Sequence, residues 1–335
     1  MTRRWIIYAA TALALYALAT TLEPFRAYQL ATAAAYFCAA AGLTVLTGLS
    51  GQLSLGHGAF MAIGAYTVAL TQNGLADAGA TGAWLLGISL LAAVLVNVVA
   101  GAVIGLAGAR LHGPYLAGAT LAIAVAVPSV PVIFRESLGG EQGLPVYAEP
   151  APVDVPYERW QAWIAVTGAL IVAAGLANLL RSRYGRELRA VRDDEVAARL
   201  AGVPVARVRV QAFVVSAAGA GLGGGLLAFL AQSVSPGAFP LTLSLFLLMA
   251  IVIGGLGSLA GAAWGAALLV VLPDLAHEIT ASLSLSPATE QRLAGNLPLA
   301  IFGLVLIVTM IVAPGGVQGA LTRVVRRRRT TAPPS

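Results

Sequence analysis

No lysine occurs in the 335 residues, so all 20 basic side chains are arginine. A P-loop needs a lysine to reach the nucleotide phosphates, and a Schiff-base mechanism needs one as nucleophile, so both are excluded. If ATP drives this protein, another chain binds it, and no cofactor is expected on this one. The single cysteine, Cys38, lies in an apolar run. It forms no internal disulfide and no metal cluster, and reads as a small packing residue. Charge is scarce as well: 10% of residues are charged and 59% hydrophobic. Soluble domains carry about 25% charged residues, so this chain lacks the polar atoms to cover a wetted surface.

Long apolar runs fill the space that charge leaves. They exceed the ~20 residues that cross a bilayer as helix. Every backbone group in lipid must be satisfied internally, which leaves helices or closed barrels, and runs without strand alternation choose helices. The expected fold is all-α, a polytopic bundle of about ten transmembrane helices within the lipid bilayer. Spans are placed at 5–22, 28–47, 58–73, 83–107, 114–134, 160–180, 210–232, 242–257, 259–273 and 297–313. The third, eighth and ninth are short and glycine-interrupted. Arg3-Arg4, an apolar run and Ala17-Leu18-Ala19 imitate a cleaved signal peptide. The run is longer than a usual signal core, however, and is read as the first helix.

The formal charge of +6 invites a nucleic-acid reading. The arginines sit between hydrophobic spans without an aromatic-interleaved basic face, so no nucleic-acid partner is expected. Topology explains the charge better. With ten crossings and the N-terminus inside, the cytoplasmic segments hold Arg3, Arg4, Arg110, the arginines of 181–209, Arg323 and Arg326 to Arg329, which is 16 of 20. Arg26, Arg135, Arg159 and Arg292 remain outside. Only Glu187, Asp193, Asp194 and Glu195 among the carboxylates lie inside. Both termini are therefore expected in the cytoplasm. The transmembrane domain is read as 1–320, with a cytoplasmic loop at 181–209, and 321–335 as a basic, disordered tail.

Three polar or glycine-rich stretches carry functional readings. Residues 48–60 contain Gly51, Gln52, Ser54, Gly56 and His57 between two spans. Small residues permit close helix approach, and their backbone can unwind where it lines a cavity. The stretch reads either as a tight packing turn or as part of a solute pathway or gate. His57 stands at a span edge, with no second histidine to make a metal site. Gly254 to Gly261 echoes this composition, and five-plus-five spans would relate the halves as inverted repeats; convergent packing explains the echo equally well. Residues Arg186 to Gly202 read as one amphipathic helix, with Leu188, Val191, Glu195 and Ala198 on one face and Gly202 with Pro204 as a stop. It is too short to span, so it lies on the membrane or docks in a partner's groove.

These residues resemble the LivM-type permease subunits of the bacterial branched-chain amino-acid ABC importers. The likeness runs from Ala39 to Gly315. It rests on Gly51-Gln52-Leu53-Ser54-Leu55-Gly56-His57, Gly64-Ala65-Tyr66, Leu111-His112-Gly113-Pro114-Tyr115 and Thr120-Leu121-Ala122. Gly139-Gly140-Glu141-Gln142-Gly143-Leu144 looks like the family's GG-x-x-GL turn, and the Tyr184 to Glu195 run is the most specific match. The resemblance implies a coupling helix seated in an ATPase cleft, often marked EAA-x-x-x-G. Here Val196-Ala197-Ala198 precedes Gly202 at that spacing, with valine in the glutamate position. Arg186, Leu188, Arg189, Val191, Asp193, Glu195, Ala197, Ala198 and Gly202 are the implied coupling residues. The implied assembly is a LivH-like second permease, two ATP-binding subunits and an extracytoplasmic solute-binding protein, in a bacterial inner membrane. A urea or amide permease of the same family fits the same motifs. A self-sufficient secondary transporter or channel is the reading from another class; it would normally place ionisable groups inside the spans.

The topology is open to labelling. Single cysteines from Glu141→Cys and Arg192→Cys, each in a Cys38→Ala background, are expected to react with an impermeant maleimide from opposite faces of intact cells. Reaction of both from one face overturns the ten-span arrangement.

Overall fold

The structure, a computed structural model, describes residues 2–111, 113–147, 151, 155–282 and 287–330. His112 of the sequence motif and residues 331–335 of the tail lie outside them. In chain order the helices are α1 (Thr2–Thr21), α2 (Pro24–Leu43), continued by a π-helical turn over Thr44–Leu49, α3 (His57–Asp77), α4 (Trp84–Gly108) and α5 (Pro114–Ile133). A short α6 (Arg135–Leu138) precedes α7 (Tyr157–Leu179), α8 (Arg183–Asp193), α9 (Glu195–Leu200) and α10 (Val205–Ala231). Then come α11 (Leu241–Gly254), α12 (Leu259–Ser282), α13 (Pro287–Val312) and α14 (Gly316–Thr330). The fold is an all-α polytopic bundle, with long helices at each of the expected spans.

Among the described residues, 8 helical runs are long and apolar enough to cross a membrane. The 21-residue α3 is not one of them. His57, Gln72, Asn73 and Asp77 dilute its hydropathy, and it lies inside the bundle against α10, α4 and α5. Its apparent shortness in the sequence is thus polarity, and the helix itself is full length.

Several boundaries move. The span expected to stop at 273 runs on to Ser282, and the one expected from 297 begins at Pro287. Pro273 and Pro298 lie inside helices, where they read as breakers in the sequence. Within a membrane bundle neighbouring groups re-satisfy the freed backbone, so such prolines are tolerated. Asp274 accordingly sits within α12, and its carboxylate accepts a hydrogen bond from the Gln29 amide of α2. Residues 321–330, expected as disordered tail, continue α14. The stretch after Gly319 contains no glycine or proline and is rich in arginine, a good helix former.

The bundle is built around α10, which packs on α4, α2 and α3. Its residues 219–225 contain Gly219, Gly221, Gly223, Gly224 and Gly225. A Cβ on Gly223 would lie 2.6 Å from the Ala35 carbonyl oxygen, and one on Gly219 2.8 Å from that of Cys38. Gly224 meets the backbone of Met61, and Gly64 of α3 meets that of Gly221. No side chain fits between these backbones, so the glycines are what lets α2 and α3 close on α10. At the opposite extreme, α13 buries little and turns Leu304, Ile307, Met310 and Ile311 outward.

Just past the C-terminal end of α10, two-residue strands β1 (Leu144–Pro145) and β2 (Ser233–Val234) pair antiparallel. Gly139, Gly140 and Gly143 all have left-handed φ, of 76°, 63° and 75°. This is why the GG-x-x-GL turn takes glycine: side chains are strained there, and Gly143 abuts the Val234 carbonyl. Asn73 of α3 fastens the loop, donating to the Pro145 carbonyl at 2.6 Å and accepting from Tyr147 N at 2.8 Å.

The glycine seam sets an expected difference between two substitutions. Gly224→Ala overpacks α10 against α3 and should lower the stability of the purified chain by ~1–3 kcal/mol. Gly175→Ala, with nothing within 4 Å of the new methyl, should leave it unchanged or slightly raised. Coincident melting curves for the two variants would remove the seam from this account.

Candidate gate and coupling site

The chain between α2 and α3 is where the bundle departs from regular helix. The π-helical turn of Thr44–Leu49 ends at Ser50, whose N–H donates to the Val45 carbonyl at 3.1 Å. Gly51 then adopts φ 72°, and residues 51–56 run without helix until α3 opens at His57. Gln52 N donates to the Leu46 carbonyl at 3.1 Å, and the Ser50 hydroxyl to the same oxygen at 2.8 Å. These bonds hold the break as a defined turn.

Two further backbone donors find hydroxyls on other helices. Leu55 N donates to Thr120 Oγ1 of α5 at 3.0 Å, and Gly58 N to Ser244 Oγ of α11 at 2.9 Å. Buried N–H groups without partners are costly, so Thr120 and Ser244 help make an interior break affordable. Glycine is required alongside: a Cβ on Gly56 would sit 2.9 Å from the Thr120 carbonyl oxygen.

His57 lies at the centre of this arrangement and not at an edge; it is 0% exposed. Its Nε2 lies 2.7 Å from Ser216 Oγ of α10, and Ser216 donates its one proton to the Gly42 carbonyl at 2.8 Å. The serine must then accept, which fixes the imidazole proton on Nε2 and leaves Nδ1 as an acceptor. Nδ1 is buried without a hydrogen-bond partner in the structure. Phe60 meets the imidazole edge-on at 5.8 Å. Of the expected gate residues, Gln52, Ser54, Gly56 and His57 are buried together, and only Gly51 reaches the surface.

The loop between α7 and α10 divides into two helices where one continuous helix is expected over 186–202. α8 stops at Asp193 and α9 begins at Glu195. Between them Asp194 is extended, with φ −155°, and its carboxylate accepts from Val196 N at 2.9 Å and Ala197 N at 3.0 Å. Aspartate as N-cap outcompetes helix continuation here. Gly202 is left-handed at φ 82° and closes α9, as a helix stop should.

A second correction concerns the apolar face. Leu188 is 0%, Val191 4% and Ala198 4% exposed, and all three belong to the chain's own core. The face that the periodicity marks is covered by this bundle and offers nothing to a partner. Arg186, Arg189, Asp193, Ala197 and Gly202 remain exposed, and the free apolar side chains are Val196 at 67% and Leu200 at 85%. Glu195 is half-buried and turns inward.

Two links join this helix pair to the break. Arg192 Nη1 of α8 donates to the Gly48 carbonyl at 3.0 Å, and its side-chain stem lies over Gly51. Glu195 of α9 accepts from Arg209 of α10 at 2.7 Å, and the Arg209 carbonyl lies 3.4 Å from Gln52 Nε2. Ser50, Gly51, Gln52, Leu116 and Arg209 line a cavity of ≈ 440 Å³ that reaches the Gly113–Pro114 start of α5. Residues singled out separately as gate and as coupling element thus touch one another.

Residues 25–314 match the family model described as branched-chain amino acid transport system / permease component. The chain is similar to the high-affinity branched-chain amino acid transport system permease protein LivM of Salmonella typhimurium and to that of Escherichia coli, 34% identical to each over 281 residues. Those alignments cover 72% of this chain and 61% of each relative, so the chain spans about three fifths of their length. A probable branched-chain amino acid transport permease protein LivH of Methanocaldococcus jannaschii is 28% identical over 164 residues, covering 49% of this chain and 50% of that one. No solved structure matches.

The His57–Ser216 pair gives a direct check of the site. Ser216→Ala removes the partner of a wholly buried imidazole, and leaving such a group unsatisfied costs ~1–3 kcal/mol. The variant's melting temperature in detergent should fall measurably, while Ser233→Ala, at an exposed position, should not move it. An unshifted Ser216→Ala protein would show that the bond does not support the break.

Proposed function

Since this chain belongs to the family of branched-chain amino acid transport system permease components, we propose that it is a membrane-spanning subunit of an ATP-driven importer of branched-chain amino acids. The observation that carries the proposal is the pair of links from α8 and α9 to the interior break, through Arg192 to Gly48 and through Glu195–Arg209 to Gln52. A chain with no phosphate-binding lysine needs its work delivered from elsewhere. A helix pair tied to a break in the membrane interior is a route for delivering it.

In this reading α8 and α9 face the cytoplasm, as the arginine distribution requires, and both termini lie on that side. Leu188 and Val191 fasten the pair to the bundle, while Val196, Leu200 and Arg199 meet an ATP-binding subunit. ATP-driven closure of two such subunits shifts α8 and α9. Arg192 and Glu195 carry the shift to residues 48–57, and the break opens or closes the path. A ligand or partner moves such an equilibrium only by its differential affinity for the two states, so the links must differ between them. A second, LivH-like permease completes the path, and an extracytoplasmic binding protein delivers the solute. The membrane is a bacterial inner membrane.

Uptake assays on the co-expressed importer test this. Labelled leucine should accumulate in an ATP-dependent way and labelled urea should not; the reverse would assign the chain to an amide permease. Val196→Asp with Leu200→Asp should abolish co-purification of the ATP-binding subunits while the bundle still inserts. Glu195→Gln should leave those subunits bound but lower uptake roughly 5- to 150-fold, the range of a coupling free energy of ~1–3 kcal/mol. Full leucine uptake in both variants would end the coupling claim.

A further inference from the structure

A second cavity, of ≈ 640 Å³, opens beside the gate machinery, between the end of α7, α8 and the first turns of α10. Its lining changes character along its length. Arg183, Tyr184 and Glu187 of α8 and Arg207 of α10 stand at one end, Gln211 follows, and Val214 and Val215 with Leu179 of α7 form the other. At 1.5 Å per residue the two valines lie ~10–12 Å along α10 from Arg207, inside the apolar part of the span. Arg183 and Glu187 neutralise each other at 2.7 Å, whereas Arg207 has no ion-pair partner among the described residues. The groove therefore keeps a net positive end. The Tyr184 hydroxyl is buried without a hydrogen-bond partner in the structure. Burial, reinforced by Glu187, raises its pKa and keeps the phenol protonated as a donor.

We infer that this groove binds an anionic phospholipid of the cytoplasmic leaflet, its phosphate between Arg183 and Arg207 and an acyl chain against Val214 and Val215. A soluble partner would reach the arginines but not the valines, which lie at membrane depth. A free anion would fill the basic end and leave the apolar end open. A phospholipid has both parts, in the order and at the spacing that the groove presents, and anionic headgroups are the lipids that basic cytoplasmic pockets select. The occupant would sit where α8 meets α10, so its binding would bear on how firmly the coupling helices are seated. The leaflet follows from the orientation proposed above. A wrong orientation would show in the cysteine labelling and leave the lipid comparison itself intact.

Native mass spectrometry of the full chain, stripped of lipid in detergent and supplied with phosphatidylglycerol or phosphatidylcholine at equal concentration, tests the inference. Wild type should retain phosphatidylglycerol preferentially. The double variant Arg183→Ala/Arg207→Ala should lose that adduct about thirtyfold, two surface arginines being removed, while Arg186→Ala, outside the groove, should keep it. Val215→Trp should lower the adduct with both arginines present. Equal retention of the two lipids, or unchanged phosphatidylglycerol in the double variant, overturns the proposal. Full displacement by millimolar inorganic phosphate would make this a free-anion site and overturns it too. So does loss of the ATP-binding subunits from the double variant with lipid unchanged, which would identify a protein interface.

Discussion

Helix α10 closes on α2 and α3 because glycine leaves no side chain between the backbones at the points of contact. Hydrocarbon is as apolar as leucine, so helices in a bilayer gain little from simply burying apolar area; close packing and interhelical hydrogen bonds must supply the difference. The five glycines of residues 219–225 bring the backbone of α10 against those of α2 and α3. The rest of the site hangs from that approach. Ser216 reaches both His57 and the Gly42 carbonyl only because α2 and α3 lie so near.

The interior break follows the same logic in polar terms. Lipid tolerates non-helical backbone only where protein satisfies it. Thr120 from α5, Ser244 from α11 and Ser216 from α10 each supply a hydroxyl, so three helices converge on a few residues. Such a turn is held by discrete bonds to separate bodies, and moving any one of those bodies rearranges it. Arg192 and Glu195 grip the break from α8 and α9. Polar satisfaction inside and ion pairing at the surface are thereby parts of one connected structure.

Hydropathy runs made nearly all the long helices legible, because span length is a property of composition. Gly202 and the GG-x-x-GL glycines announced their left-handed turns. What stayed hidden depended on tertiary partners. Leu188 and Val191 showed the correct periodicity, yet an apolar stripe does not say whose surface covers it, and here it is the chain's own core. Asp194 could be read as a helix residue or as a cap, and only its accepted backbone bonds decide. The glycines of 219–225 were visible as a cluster in an apolar span and were passed over, although clustering alone was the signal. Ser216 and Ser244 carried no local mark at all, and Thr120 stood only as a motif residue, since their roles lie in distances to residues far along the chain.

The burial of α3 constrains the order of assembly. Its polar residues make it too weakly hydrophobic to count among the membrane-crossing runs, and its native place is inside the bundle. The helix that lines much of that place, α10, is synthesised only after residue 204, when α3 has long since left the ribosome. Between those moments α3 has α2 and α4 beside it but no Gly221 backbone to close upon and no Ser216 for His57. The contacts that seat α3 and shape the central break therefore join segments more than a hundred residues apart, and they can be completed only when α10 is present.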